Sequence, residues 1–246
     1  MSFPADMLFY ASYDSTLAAD YTDTGNLGPD GTRGSPTVNT SVKNCGAGSL
    51  RLDKTGSFGC YVDYQNQTAP GQQCTVAMYV YHDSNVQWCD LFDLWTTTTY
   101  YDILDTGLQN NGQGLRFNLY DGTSSFTLKA QLNIWTGITQ DTWNHIEMYF
   151  DCDSGDIKAF VNGTLFGSTT FTPFSMGGGN KHDYTVGNTL KAVDPDFVYI
   201  DDVQMYNTVQ HTANFSPACF VSGPSNKIYN NLASPFGSSF CRGFGR

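Results

Sequence analysis

Residues 143–150 read Trp-Asn-His-Ile-Glu-Met-Tyr-Phe, so that Ile146, Met148 and Phe150 alternate with His145, Glu147 and Tyr149. A period of two puts neighbouring side chains on opposite faces of a strand, one buried and one outward. The pattern recurs at Leu115–Tyr120, where Leu115, Phe117 and Leu119 face inward and Arg116, Asn118 and Tyr120 outward. The spacing predicts further strands at Met7–Tyr13, Gly48–Asp53, Gly59–Tyr64, Cys74–Tyr81, Trp88–Trp95, Phe126–Leu132, Ile157–Asn162, Tyr184–Gly187 and Phe197–Tyr206. Gly, Asn, Asp and Pro turns separate them, and about a dozen strands at this spacing specify an all-β sandwich or barrel. Only 14% of the residues are charged, 15% are aromatic, and a single glutamate, Glu147, stands against 22 aspartates. That mixture is poor in helix formers and rich in strand formers. It argues against helical bundles, coiled coils and doubly wound α/β enzymes.

In the last predicted strand Val198 and Ile200 share one parity, whereas Val203 and Met205 share the other. A β-bulge at Asp201–Asp202 would return both pairs to the core and re-aim an aspartate.

The net charge is −11, which argues against nucleic acid as a partner. Every acid lies at or before Asp202, while residues 203–246 hold only Lys227, Arg242 and Arg246 as charged groups. The body therefore carries −14 and the last 44 residues +3. No apolar run approaches the ~20 residues of a membrane span, so no membrane insertion is expected. The segment MSFPADMLFYASYD has neither a basic nor an apolar signal region. The seven cysteines, 45, 60, 74, 89, 152, 219 and 241, form no Cys-x-x-Cys pair. They read as buried thiols of a reducing compartment, with one or two disulfides, such as Cys45–Cys60, as the alternative. Sequons at Asn39, Asn66, Asn162 and Asn214 are expected by chance in a chain so rich in Asn, Ser and Thr.

The run WNHIEMYFD, then SGDIKAFVNGTLFGS, YTVGN and VYIDDVQMYN, resembles the C-terminal half of concanavalin A-like or laminin G-like jelly rolls. The residues that carry the resemblance are Trp143, His145, Asn162, Gly163, Gly187, Ile200, Asp202 and Val203. LFYASYDST, GAGSLRLD and CTVAMYVYHD fit the N-terminal half more loosely. The resemblance implies a two-sheet antiparallel jelly-roll sandwich over residues 1–206, followed by an irregular Pro/Gly/Phe-rich arm over 207–246. Fold does not choose among the lectins, hydrolases, lyases and coat modules of such a superfamily.

Related hydrolases place glutamates together on one strand, and a chain with one glutamate cannot. Asp90 and Asp93 stand three apart, so without a bulge they lie on opposite faces. The resemblance to lyases implies His145 and Tyr149 as acid and base, with Arg116 neutralising a uronate, alongside Asn118 and Tyr120 on a shared outward face. No Gly-x-Ser-x-Gly and no phosphate-binding loop is present. The family's structural Ca²⁺ points to Asp14, Asp201 and Asp202 near the first and last strands, since calcium takes six to eight oxygens. For glycan stacking the candidates are Trp88, Trp95, Tyr100 and Trp135.

These readings favour a non-catalytic attachment or structural protein with glycan recognition. Phe215, Phe220, Ile228, Tyr229, Leu232, Phe236, Phe240 and Phe244 make the arm too apolar for a solvated linker. It is expected to dock on its own domain or on other subunits of an assembly. A jelly roll without an export signal, with such an arm, suits a virus or phage particle surface, as a capsid decoration, spike or fibre component assembled in the host cytoplasm. The alternatives are a polysaccharide lyase and a secreted, extracellular lectin-like module that binds a cell-surface glycan.

Overall fold

The computed structural model describes residues 3–53, 59–82, 89–96, 102–109, 112–121, 127–176, 182–188 and 197–220. Sixteen strands lie among the described residues, in two antiparallel sheets. One sheet has nine strands: β1 (Met7–Ala11), β2 (Tyr21–Thr22), β4 (Thr37–Asn39), β5 (Ser49–Asp53), β7 (Gln73–His82), β12 (Asn144–Asp151), β13 (Asp156–Val161), β14 (Thr164–Thr170) and β16 (Phe197–Tyr206). The other has seven: β3 (Gly31–Arg33), β6 (Tyr61–Gln67), β8 (Cys89–Thr96), β9 (Asp102–Gln109), β10 (Gly114–Tyr120), β11 (Leu128–Ile134) and β15 (His182–Asn188). Their spatial orders are β14-β13-β12-β7-β16-β1-β2, with β5 and β4 beside β16, and β11-β10-β9-β8-β15-β6-β3.

The inner faces meet around Phe9, Tyr64, Phe92 and Tyr184, all fully buried. Phe9 stands edge-on to Tyr64 at 4.9 Å and to Tyr184 at 5.7 Å, an arrangement the ring quadrupoles favour. The buried Tyr64 hydroxyl donates to the Leu17 carbonyl at 2.6 Å, and that of Tyr184 to the Thr68 carbonyl. Each phenol is thus satisfied inside an otherwise apolar layer.

β10 and β12 keep the predicted parity: Leu115, Phe117 and Leu119, and Ile146, Met148 and Phe150, all lie in the core. Asn162 and Gly163, at φ 50° and 75°, make the tight turn between β13 and β14. β16 also bends as its parity requires. Its pairing with β7 shifts between Asp201 and Gln204, Asp202 sits at φ 54°, and Val198, Ile200, Val203 and Met205 are all buried. The bulge lets β16 pair with β5 before it and with β1 after it.

Other elements differ from expectation. β9 is not among the predicted strands, because Asp and Gly hide the alternation of Leu104, Thr106 and Leu108, which are buried. The Asp14–Asn44 loop contains the short strands β2, β3 and β4, and the strand expected at Phe126–Leu132 spans Leu128–Ile134.

Candidate functional site

The outward faces of the two sheets have different fates. On the seven-stranded sheet one row carries a polar side chain on six strands and a glycine on the seventh. The register places Gln131 beside Asn118, then Asp105, Asp93, Thr185, Asp63 and Gly31. Three neighbouring pairs are joined by hydrogen bonds. Gln131 Nε2 donates to Asn118 Oδ1 at 2.8 Å, and Asn118 Nδ2 to Asp105 Oδ2 at 3.0 Å. Thr185 Oγ1 donates to Asp63 Oδ1 at 3.3 Å. In the adjacent row Arg116 reaches over Gly107 and bridges Asp105 at 2.8 Å and Asp90 at 2.7 Å. A Cβ on Gly107 would stand 2.7 Å from the Cys89 carbonyl and 3.1 Å from Asp90 Oδ1, so glycine keeps this crossing open.

The face is recessed rather than freely solvated. The Arg116 side chain is 22% exposed, those of Asp90 and Asp105 are 17%, and Asp93 is 4%. Burial opposes the Arg116 charge, but the carboxylates of Asp105, Asp90 and Asp93 outweigh it and raise its pKa. Burial likewise raises the Asp63 and Asp183 carboxyls above the usual range.

Asp90 and Asp93 do come together, contrary to the expectation that three-residue spacing separates them. The β8–β9 pairing shifts between Asp90 and Phe92, so Leu91 and Phe92 both enter the core and both aspartates stay outward. Carboxylate oxygens of Asp90, Asp93 and Asp105 lie within 4.8 Å of one another, a geometry that could hold a metal ion. Arg116 supplies positive charge to two of the three.

Of the aromatic candidates, Trp95 pairs with Asp183 on this face, and its buried indole N–H has no hydrogen-bond partner. Trp135 follows β11 at the sheet edge and is 56% exposed. Trp88 and Tyr100 lie outside the described residues.

The lyase trio is not assembled. Arg116 belongs to the outer face of the seven-stranded sheet, whereas His145 and Tyr149 belong to that of the nine-stranded sheet, across the whole core. Parity within a strand reports in or out; it does not report which sheet the strand joins. Tyr149 donates its hydroxyl to Asp156 at 3.1 Å. His145 is 5% exposed, and burial first, then the His211 charge, lowers its pKa to about 4. Its imidazole is expected to remain neutral down to about pH 4 in an NMR titration; titration near the ordinary 6.5 would show that it is solvated.

The nine-stranded face is covered by the chain itself. Residues 207–220, expected to begin a separate arm, lie across it. Thr208 Oγ1 and Gln210 Nε2 donate to Asp6 Oδ2 at 2.7 and 2.9 Å. His211 Nδ1 sits 2.9 Å from the buried Glu147 carboxylate, whose pKa burial raises although His211 opposes the rise. The Phe215 ring stacks on His211 at 3.7 Å and meets Phe160 and His145 edge-on. Phe220 packs on Tyr10 and Phe3.

Cys219 is bonded to Cys45, 174 residues earlier. The pairing is therefore not Cys45–Cys60. Cys60, Cys74, Cys89 and Cys152 are buried thiols outside any disulfide, and Cys241 lies outside the described residues.

Asp14, Asp201 and Asp202 act on backbone amides. Asp14 accepts from the Ala47 and Gly48 N–H groups, Asp201 from Asn44 and Cys45, and Asp202 from Phe220. Asp201 Oδ1 and Asp202 Oδ1 are buried without hydrogen-bond partners. Yet the three carboxylates do not converge. Among the described residues the only other converging group is Cys45–Asp202–Cys219, whose sulfurs are joined to each other.

A family model described as the concanavalin A-like lectin/glucanases superfamily matches residues 55–213. No curated protein matches the sequence significantly. Solved structures with a similar fold include the receptor-binding domain of a botulinum neurotoxin C/D mosaic serotype, at TM-score 0.61 and 11% identity. A botulinum neurotoxin type C structure, whose cell entry depends on two ganglioside molecules, gives 0.59 and 13%. The botulinum neurotoxin DC binding domain in complex with rat synaptotagmin II gives 0.61 and 12%. Each similarity covers 84% of this chain and 49% of the other, so this chain spans about half the length of those it matches. At such identity the likeness is one of fold.

Proposed function

Because the chain belongs to the concanavalin A-like lectin/glucanases superfamily, we propose that it is a non-catalytic attachment module that recognises glycan on the outer face of its seven-stranded sheet. One observation carries this reading: a row of amide, carboxylate and hydroxyl groups, recessed at Asn118, Asp105, Asp93 and Thr185, crosses six of the seven strands, and Gly31 continues it on β3. Sugars are bound by fixed planar acceptors and donors with an aromatic ring nearby, and Trp95 and Trp135 supply rings at this face. The dependence of botulinum neurotoxin type C entry on gangliosides is a precedent for attachment on this fold.

The test is a calorimetric titration of the protein with a panel of oligosaccharides. At least one is expected to bind, and Asn118→Ala should weaken it by about tenfold, the loss of one buried hydrogen bond to ligand or row. Binding to none, or an unchanged affinity in Asn118→Ala, contradicts the proposal. Gly107→Ala, whose Cβ would press on the Cys89 carbonyl and on Asp90 and so displace the Arg116 partner, should weaken binding at least as much with a fold still intact by circular dichroism.

A second reading has one observation in its favour. The bulge in β8 gathers Asp90, Asp93 and Asp105 in the recess, and glycoside hydrolysis uses such neighbouring carboxylates. Release of reducing sugar, abolished in Asp93→Asn, would favour it over attachment.

We place the module on the surface of a virus or phage particle, with residues 221–246 as the segment that docks on other subunits. Their three cations and absence of acids complement a body of −14. Co-purification with particles, lost on truncation after Phe220, is the expected result.

A further inference from the structure

The strap of residues 207–220 forms no strand with the sheet it covers. It is held by side chains at Asp6, Glu147 and Asp202, by the packed Phe215 and Phe220 rings, by a few backbone bonds, and by one covalent link near its end. Phe215 N–H donates to the Gly163 carbonyl at 2.8 Å, and Leu165 N–H to Asn214 Oδ1 at 2.8 Å. The covalent link is asymmetric. Cys219 is partly exposed, whereas Cys45 is buried at 6% exposure. Asn44 Nδ2 lies 3.4 Å from the Cys45 sulfur and 3.8 Å from that of Cys219. Cys219, the more exposed residue of the pair, is thus the side on which an incoming thiolate attacks, and the Cys45 sulfur that leaves has an N–H donor beside it. The thiols of Cys60, Cys74, Cys89 and Cys152 are buried, so none of them competes in the exchange.

We propose that the strap is a redox-controlled clasp on the nine-stranded sheet. A dithiol reductant attacks Cys219, forming a mixed disulfide and expelling the Cys45 thiolate, which takes up a proton. The second thiol of the reductant then closes its own disulfide and releases Cys219. Two electrons pass from the dithiol to the cystine. The released segment uncovers Phe160, His145 and Glu147, a face that combines an aromatic ring with a buried carboxylate. It also moves the tether point of the following chain from Phe220 back to Gln210, and ten extended residues add about 33 Å of reach. Reduction would thereby free the arm to engage a partner that the clasped form cannot reach, on the side opposite the proposed glycan face.

Hydrogen exchange read by mass spectrometry, with and without dithiothreitol, tests the clasp on the full chain. Two additional alkylated thiols confirm that the bond is open. The amides of residues 211–220 are expected to exchange at least about tenfold faster on reduction, while those of β7 and β12 remain protected. Glu147→Gln, which weakens the second fastening, should leave the oxidised strap protected and make its release on reduction complete. A strap that stays protected in the reduced protein overturns the proposal. So does exchange of strap and strands together, because the bond then staples the whole domain and no local clasp exists. Cys219→Ser should reproduce the reduced behaviour without reductant.

Discussion

Reducing the Cys45–Cys219 bond is expected to lower the free energy of unfolding by about 5 kcal/mol, from the entropy that so long a loop regains in the unfolded chain. The link joins residues 174 apart and so restrains most of the described domain once it unfolds. In a domain of this size such a loss shifts the melting temperature by roughly 10 °C or more. Urea denaturation with and without a phosphine reductant measures it. An unchanged midpoint, with two more thiols titratable, would mean that the unfolded chain is already compact around this link. The loss concerns global unfolding, whereas the clasp concerns detachment of 211–220 from a sheet that stays folded; exchange and denaturation report them separately.

The second large effect is a dependence on pH that runs against the usual carboxylate behaviour. Burial is the main cause that raises Asp201 from the ordinary 3.8 to about 7, with Asp202 and Asp14 adding to it against the Cys45 and Asn44 amides. Burial also raises Asp202 to about 6. An acid whose folded pKa lies above its unfolded one binds an extra proton in the folded state between those values. Stability is therefore full below about pH 4, falls as pH rises toward 7, and levels off above. Asp201 is fully buried, and between pH 5 and 8 its share of the loss is ~3 kcal/mol. His145, lowered to about 4, acts in the opposite sense over pH 4–6.5. The difference between wild type and Asp201→Asn cancels it. Urea unfolding at the two pH values should show the variant nearly flat in this component. An equal pH dependence in both proteins would contradict the assignment.

Much of the sandwich is legible in the sequence because its signals are local. Ile146, Met148 and Phe150 announce a buried face, Asn162–Gly163 a tight turn, and the parity change at Asp201–Asp202 a bulge, and the fold contains all three. What escaped depends on distant partners. Arg116 and His145 share an outward parity but belong to opposite sheets, which only long-range pairing decides. Asp90 and Asp93 converge through a second bulge, signalled only by the adjacent apolar pair Leu91–Phe92. β9 supplies Asp105, and its aspartates and glycine mask the strand pattern. Cys219 lies too far from Cys45 for spacing to suggest the bond. The polar row therefore became visible only when seven strands were set side by side.

The most direct test of the central claim is to map amide chemical-shift changes as the tightest-binding oligosaccharide is titrated into isotope-labelled protein. The account predicts shifts in β8, β9, β10 and β15, centred on Asp93, Asp105, Asn118 and Thr185, with β12 and residues 207–220 unmoved. Shifts centred on β12 and the strap, with the seven-stranded sheet silent, would contradict it.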